Sequence, residues 1–148
     1  MLVFSEYQTD TIDLALDFYG YEDCPKNYEF GPSVRDNFVL HFITKGKGVF
    51  HFNKKEIHLE AGDLFLLPKN KVTYYKADAE EPWSYYWIGI SGTKVSDFMR
   101  FSTLHEKGFL KKTEVETERI GQFMEQLVHK AEASKMTSHY QLHLLSQI

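Results

Sequence analysis

The 148-residue sequence has a single cysteine, Cys24, which excludes a disulfide framework and any multi-cysteine zinc site. Basic charge is not in excess either: 17 Lys and Arg stand against 21 Asp and Glu, a net charge of −4. A chain that grips nucleic acid unaided concentrates positive charge, so this balance argues against direct contact with DNA or RNA. Long apolar runs are missing. Glu6 and Asp10 interrupt the start and no run approaches the roughly 18 residues of a membrane span, so neither a secretion leader nor a spanning segment is expected. A nucleophile-elbow pattern, a P-loop and a GxGxxG after a strand are missing too. Cys24 precedes Pro25 with no local basic cluster to activate its thiol. The expectation is a soluble, cytoplasmic, single-domain chain, large enough for a genuine core, with no catalytic residue.

What the sequence has in quantity is aromatic side chains, 16% of all residues. From Phe38 to Ile90 it reads as short β-prone runs separated by turn residues. Phe38–Thr44 is the first, Gly46-Lys47-Gly48 turns, and Val49–Phe52 returns. Glu56–Glu60 alternates strictly, marking a strand with one wet face, whereas Leu64–Pro68 is apolar on both faces. Thr73–Ala77 and Trp83–Ile90 complete the series. Many short strands at close spacing predict an antiparallel sandwich or barrel.

Helical patterns follow. Ser91-Gly92-Thr93 offers caps to a short helix carrying Val95, Phe98 and Met99. Thr113 and Glu116 have capping-box spacing before a stripe of Ile120, Phe123, Met124, Leu127, Val128 and Ala131. That stripe either docks on the barrel or forms a seam with a second copy, and we expect both uses, with Leu127 near a two-fold axis. A last helix is expected from Thr137 or Ser138, carrying Tyr140, Leu142, Leu144, Leu145 and Ile148, with no stop signal to close it.

Two constellations bear on chemistry. Metal-binding barrels place two His as HxH, then a Glu, then a third His after the next Gly-rich turn. Here His51 is followed by Phe52-Asn53, and Thr73 stands where the distal His is expected. His51 and His58 alone are too few for a zinc or iron site, so no metal and no cofactor are expected. The second constellation is aromatic: Tyr74, Tyr75, Trp83, Tyr85, Tyr86 and Trp87. Alternation along a strand puts Trp83, Tyr85 and Trp87 on one face. Such rings fill a core, form an interface or wall a pocket, where their flat faces stack on the C–H face of a sugar and their N–H and O–H tips meet its hydroxyls.

Gly46-Lys47-Gly48-Val49-Phe50, Gly62-Asp63-Leu64-Phe65-Leu66-Leu67-Pro68, Tyr75-Lys76-Ala77-Asp78 and Pro82-Trp83-Ser84-Tyr85-Tyr86-Trp87-Ile88-Gly89, in that order and spacing, resemble the N-terminal effector domain of AraC-type transcriptional regulators. Within that family the multiple-sugar and raffinose-type regulators are the most similar, from about Pro32 to Gly92. The resemblance implies a mainly β fold with C-terminal helices: a cupin-like barrel (a double-stranded β-helix, or jelly roll) over 1–108, then a helical pair over 109–148 that makes a homodimer. A helix-turn-helix domain normally follows and carries the DNA contact. This sequence stops inside the helix that would lead to it, so we expect the effector-binding and dimerisation part of a longer regulator.

The resemblance also implies a saccharide site. The sugar-contacting Tyr of the arabinose-type pocket falls on Tyr75, and a His and a Trp of the later strand fall on Tyr85 and Trp87. Trp83 is expected as a further wall. Gly31 occupies the place of the arabinose-clamping Arg, and Arg35, four residues on, is the substitute, unless it pairs on the surface with Asp36 or a nearby carboxylate. His41 is either a further polar contact or a satisfied core histidine. Two other readings are a metal-dependent cupin enzyme, which needs convergent ligands that His51, His58 and Thr73 do not supply, and a ligand-free dimerisation module with a filled core.

Overall fold

A computed structural model of the chain describes residues 3–6, 14–132 and 147–148. Its elements in order are β1 (Val3–Glu6), β2 (Ala15–Asp23), β3 (Glu29–Ser33), β4 (Phe38–Lys45), β5 (Lys47–Phe52), β6 (Lys55–Glu60), β7 (Leu64–Leu67), β8 (Thr73–Ala77), β9 (Ser84–Ser91), α1 (Thr93–Arg100), α2 (Thr103–Lys107), β10 (Phe109–Leu110) and α3 (Glu118–Glu132). One antiparallel sheet runs β1-β2-β9-β4-β7-β10 and the other β3-β8-β5-β6. Strands β2 to β9 therefore pass back and forth between the sheets, and β5–β6 is the one consecutive pair that stays within a sheet. This is the eight-stranded jelly-roll order of a cupin-like barrel.

The two apolar layers follow from strand alternation. Val39 and Ile43 on β4, Phe65 and Leu67 on β7, and Tyr85 and Trp87 on β9 point between the sheets, where Phe50, Phe52, Ile57 and Leu59 meet them from the smaller sheet. Their neighbours Phe38, Leu40, Leu64, Leu66, Tyr86, Ile88 and Ile90 form the opposite face and pack against Val95, Leu104 and α3. The run Leu64–Leu67 is buried on both faces, as its sequence predicts.

The recurring motifs close the barrel. The indole of Trp83 lies so close over Gly48 that a Cβ there would fall 2.5 Å from the ring. The buried Asp63 carboxylate accepts the backbone N–H of Glu60 at 2.9 Å and that of Lys112 at 3.0 Å, and Thr117 Oγ1 donates to the Gly62 carbonyl. The Gly62-Asp63 turn thus anchors the segment leading into α3.

Several expectations are corrected. The strands β2 and β3 precede the first run read from the sequence. The Thr113–Glu116 box lies ahead of α3, whose first turn closes on the Thr117 carbonyl. α1 begins at Thr93 behind Gly92 without a side-chain cap, and a second short helix, α2, is capped by Ser102. Both precede residue 108 and pack on the same sheet as α3. Met124, Leu127, Val128 and Ala131 are buried within one chain, Leu127 completely, because α3 lies across the outer face of the six-stranded sheet. Leu127 thus packs on its own sheet; of that stripe, Ile120 and Phe123 keep part of their surface. The expected helix from Thr137 lies outside the described residues, apart from Ile148, which packs half-buried against the outer layer. Among the described residues, no helix is long and apolar enough to cross a membrane.

Candidate functional site

One end of the barrel is filled and the other is hollow. At the filled end Trp83 is fully buried, stacked on Phe65 at 5.2 Å and 19°. Its Nε1 has no hydrogen-bond partner among the described residues. Trp83 thus forms part of the barrel floor and does not line the cavity. At the hollow end, a cavity of about 180 Å³ is lined by Tyr75, Tyr85, Trp87, His41 and Arg35, five of the six expected ligand residues. Three strands and a loop bring them together: β8 supplies Tyr75, β9 supplies Tyr85 and Trp87 two residues apart, β4 supplies His41, and Arg35 stands between β3 and β4.

The aromatic wall is continuous. Tyr85 and Trp87 meet edge to face at 5.8 Å, and Tyr75 and Tyr85 at 6.2 Å. The Tyr85 hydroxyl is shared between the hydroxyl of Tyr75 and the thiol of Cys24. Burial pushes both phenols well above their ordinary value, so they stay protonated as donors. Burial likewise pushes the Cys24 thiol up to about 12.

His41 is 2% exposed, wedged against Phe65 with centroids 4.2 Å apart and edge-on to Tyr85 at 4.9 Å. Burial, with the Arg35 charge second, pushes its imidazole down to about 3, so the ring is neutral. Its Nδ1 is buried and has no partner among the described residues. A core histidine is usually satisfied; this one keeps an open polar atom beside a cavity.

Arg35 is held by aromatic faces, with its guanidinium 5.5 Å from the Phe18 ring and 5.2 Å from that of Phe30. It does not make the surface pair with Asp36, and its buried Nε has no partner among the described residues. Phe18 is fixed in turn by Gly89, where a Cβ would fall 2.3 Å from Cζ of the ring, and Phe30 stacks on Tyr75 at 5.5 Å.

The cavity also takes in Phe18, Glu22, Tyr28 and Phe30, which the sequence reading passed over. Glu22, half-buried, has its carboxyl pushed up by burial. The missed signal is the alternation Phe18, Gly20, Glu22 along β2, masked by the aromatic and charged residues between them. The set combines a donor-only guanidinium, an acceptor carboxyl, three phenols and a neutral imidazole around an aromatic wall. Such a set matches a neutral, hydroxyl-bearing ligand.

The histidines considered for a metal lie elsewhere. His51 and His58 project from the outer face of the four-stranded sheet, paired across strands with Glu56 and Val49, while Thr73 is buried in β8. Among the described residues, no three His, Cys, Asp or Glu side chains are grouped to hold a metal ion.

A jelly-roll barrel with a ligand-sized hollow between its sheets, backed by helices, defines the class of small cupin-like binding domains. The model of the AraC-like ligand binding domain matches residues 15–146, and the chain belongs to that family. It is 46% identical over 105 residues, 71% of this chain, to the Msm operon regulatory protein of Streptococcus mutans, and 41% identical over 100 residues, 66% of this chain, to the raffinose operon transcriptional regulatory protein RafR of Pediococcus pentosaceus. Those matches span 38% and 36% of the two relatives. Among solved structures, YhaK of Escherichia coli shares the fold with a TM-score of 0.53 at 14% identity, covering 62% of this chain and 45% of that one.

Proposed function

We propose that this chain is the ligand-sensing and dimerisation part of a cytoplasmic, sugar-responsive transcriptional regulator, with no catalysis of its own. A small saccharide sits in the barrel against Trp87 and Tyr85, with Tyr75, Arg35 and His41 meeting its hydroxyls. The observation that carries this reading is the hollow itself: five residues chosen from the sequence line one cavity, and two of them, His41 and Arg35, hold buried polar atoms with no partner among the described residues. A filled core would have favoured a ligand-free module. The operon names of the relatives add support, since one is a raffinose operon regulator.

In this reading 1–108 senses the ligand, and 109–148 links it to a helix-turn-helix domain outside this chain that makes the DNA contact, the whole acting as a homodimer. The dimer contact draws on the side of α3 that carries Ile120 and Phe123, the stripe residues that keep part of their surface. The ligand acts by binding one arrangement of the dimer better than another, since equal affinity for both shifts nothing. Tryptophan fluorescence tests the site: a sugar panel that includes α-galactosides should give a saturable change in the chain that Trp87→Ala removes. A panel without any saturable change contradicts the reading.

A further inference from the structure

The cavity inside the barrel has a neighbour. A second hollow, of about 570 Å³, opens outside it and is lined by Asp17, Val34, Asp36, Asn37 and Asn70, together with Phe18 and Arg35. Phe18 and Arg35 line both, so the clamped guanidinium stands at the boundary between an aromatic chamber inside the barrel and a polar one outside it.

The outer chamber is built by the backbone. The register of β2 on β9 slips between Leu16 and Phe18, so Asp17 is the extra residue of a bulge. Bulges re-aim side chains; this one sends Leu16 to the outer layer and Phe18 to the inner, and places Asp17 on the chamber wall. The Asp17 carboxylate is fixed there by Ser91 Oγ at 3.0 Å and Asn37 Nδ2 at 3.3 Å. The opposite wall is tied on by the Asn70 N–H, which donates to the Arg35 carbonyl at 2.7 Å. The loop that carries Arg35 is therefore part of both chambers.

The chemistry of the lining selects the occupant. Two carboxylates disfavour an anion, and Val34 and Phe18 are too little apolar surface for a hydrophobic ligand. Carboxylates, side-chain amides and a guanidinium together offer acceptors and donors on all sides, which suits a neutral polyhydroxyl ring. The inner chamber is below the about 300–1,000 Å³ of a drug-sized pocket, and one pyranose ring is what it can enclose. We infer that the outer chamber is a second saccharide subsite, so that the ligand is a di- or trisaccharide that enters end-on, one ring in the barrel and the next against Asp36 and Asn70, with Arg35 at their junction. This rests on the saccharide reading of the barrel and adds the number of rings to it.

The test is calorimetric titration of this chain with galactose, melibiose and raffinose, which grow by one ring at a time, and with glucose, maltose and maltotriose as a second series. In the series that binds, affinity should rise at least tenfold from one ring to two. Asp36→Ala with Asn70→Gly, both exposed loop positions, the glycine keeping the positive φ of Asn70, should remove that rise and leave the one-ring affinity within about twofold. A monosaccharide that binds as tightly as its larger relatives, or a rise that survives the double variant, overturns the outer subsite and leaves the barrel reading standing. Absence of binding by every member of both series overturns the barrel reading and the subsite with it.

Discussion

His41 lies face to face with Phe65, the ring centroids 4.2 Å apart and the planes 7° from parallel. A charged imidazole in that position would have lost its water, and burial accordingly holds the ring neutral down to about pH 3. The unfolded chain takes up the proton near the ordinary value of 6.5, so between 6.5 and 3 the unfolded state binds one proton more than the folded one. Stability contributed by the neutral ring is whole above 6.5 and falls as pH drops, by up to about 1.4 kcal/mol per pH unit. Urea midpoints at pH 7, 6 and 5 should show this decline, with a shallower slope in His41→Gln. Parallel slopes would mean that His41 titrates in the fold as it does in water.

Gly89 owes its lack of a side chain to Phe18. Gly89→Ala drives a methyl into the Phe18 ring and should cost about 1–3 kcal/mol. Because Phe18 is one face of the Arg35 clamp, sugar affinity should fall as well. Phe18→Leu added to Gly89→Ala vacates the space and should recover stability in part while binding stays weak. Thermal melts and titrations of both variants check this; unaltered affinity in both would remove the clamp from the account.

Leu127 is fully buried between α3 and the six-stranded sheet. Leu127→Ala should therefore cost about 2–5 kcal/mol as a core truncation. The loss should be the same at every protein concentration, because the contact lies within one chain. A loss that grows on dilution would instead place Leu127 at a contact between copies.

Cys24, with its thiol pushed up to about 12, should be nearly inert towards a thiol reagent such as DTNB at pH 8 and react stoichiometrically once the chain is unfolded in urea. Labelling of the native chain at the rate of a free cysteine would contradict the burial described for it.

The barrel was legible where strand alternation is regular. Trp83–Ile90 reads as a strand with Tyr85 and Trp87 on one face, and both reach the cavity. Trp83 shares that face and still misses the cavity, because how far along the barrel a residue sits is set by the cross-strand register at Gly48 and Pro82, not by the period of two. β2 escaped notice because its bulge breaks the alternation at Asp17, and β3 because Gly31-Pro32 reads as a turn. The residues lost with them are Phe18 and Phe30, which hold Arg35, and Glu22, which lines the same cavity. The α3 stripe was legible as a helix, but periodicity alone does not say whether an apolar face meets its own sheet or a second copy.

The claim on which the rest depends is that the barrel cavity binds a saccharide. Isothermal titration of raffinose, melibiose and galactose into the chain and into Trp87→Ala tests it most directly. The account predicts one-to-one, saturable binding by at least one of these sugars, weakened about tenfold or more in Trp87→Ala, with the variant's thermal melt showing that it still folds. No heat of binding from any of the three, or an affinity that Trp87→Ala leaves unchanged, would contradict it.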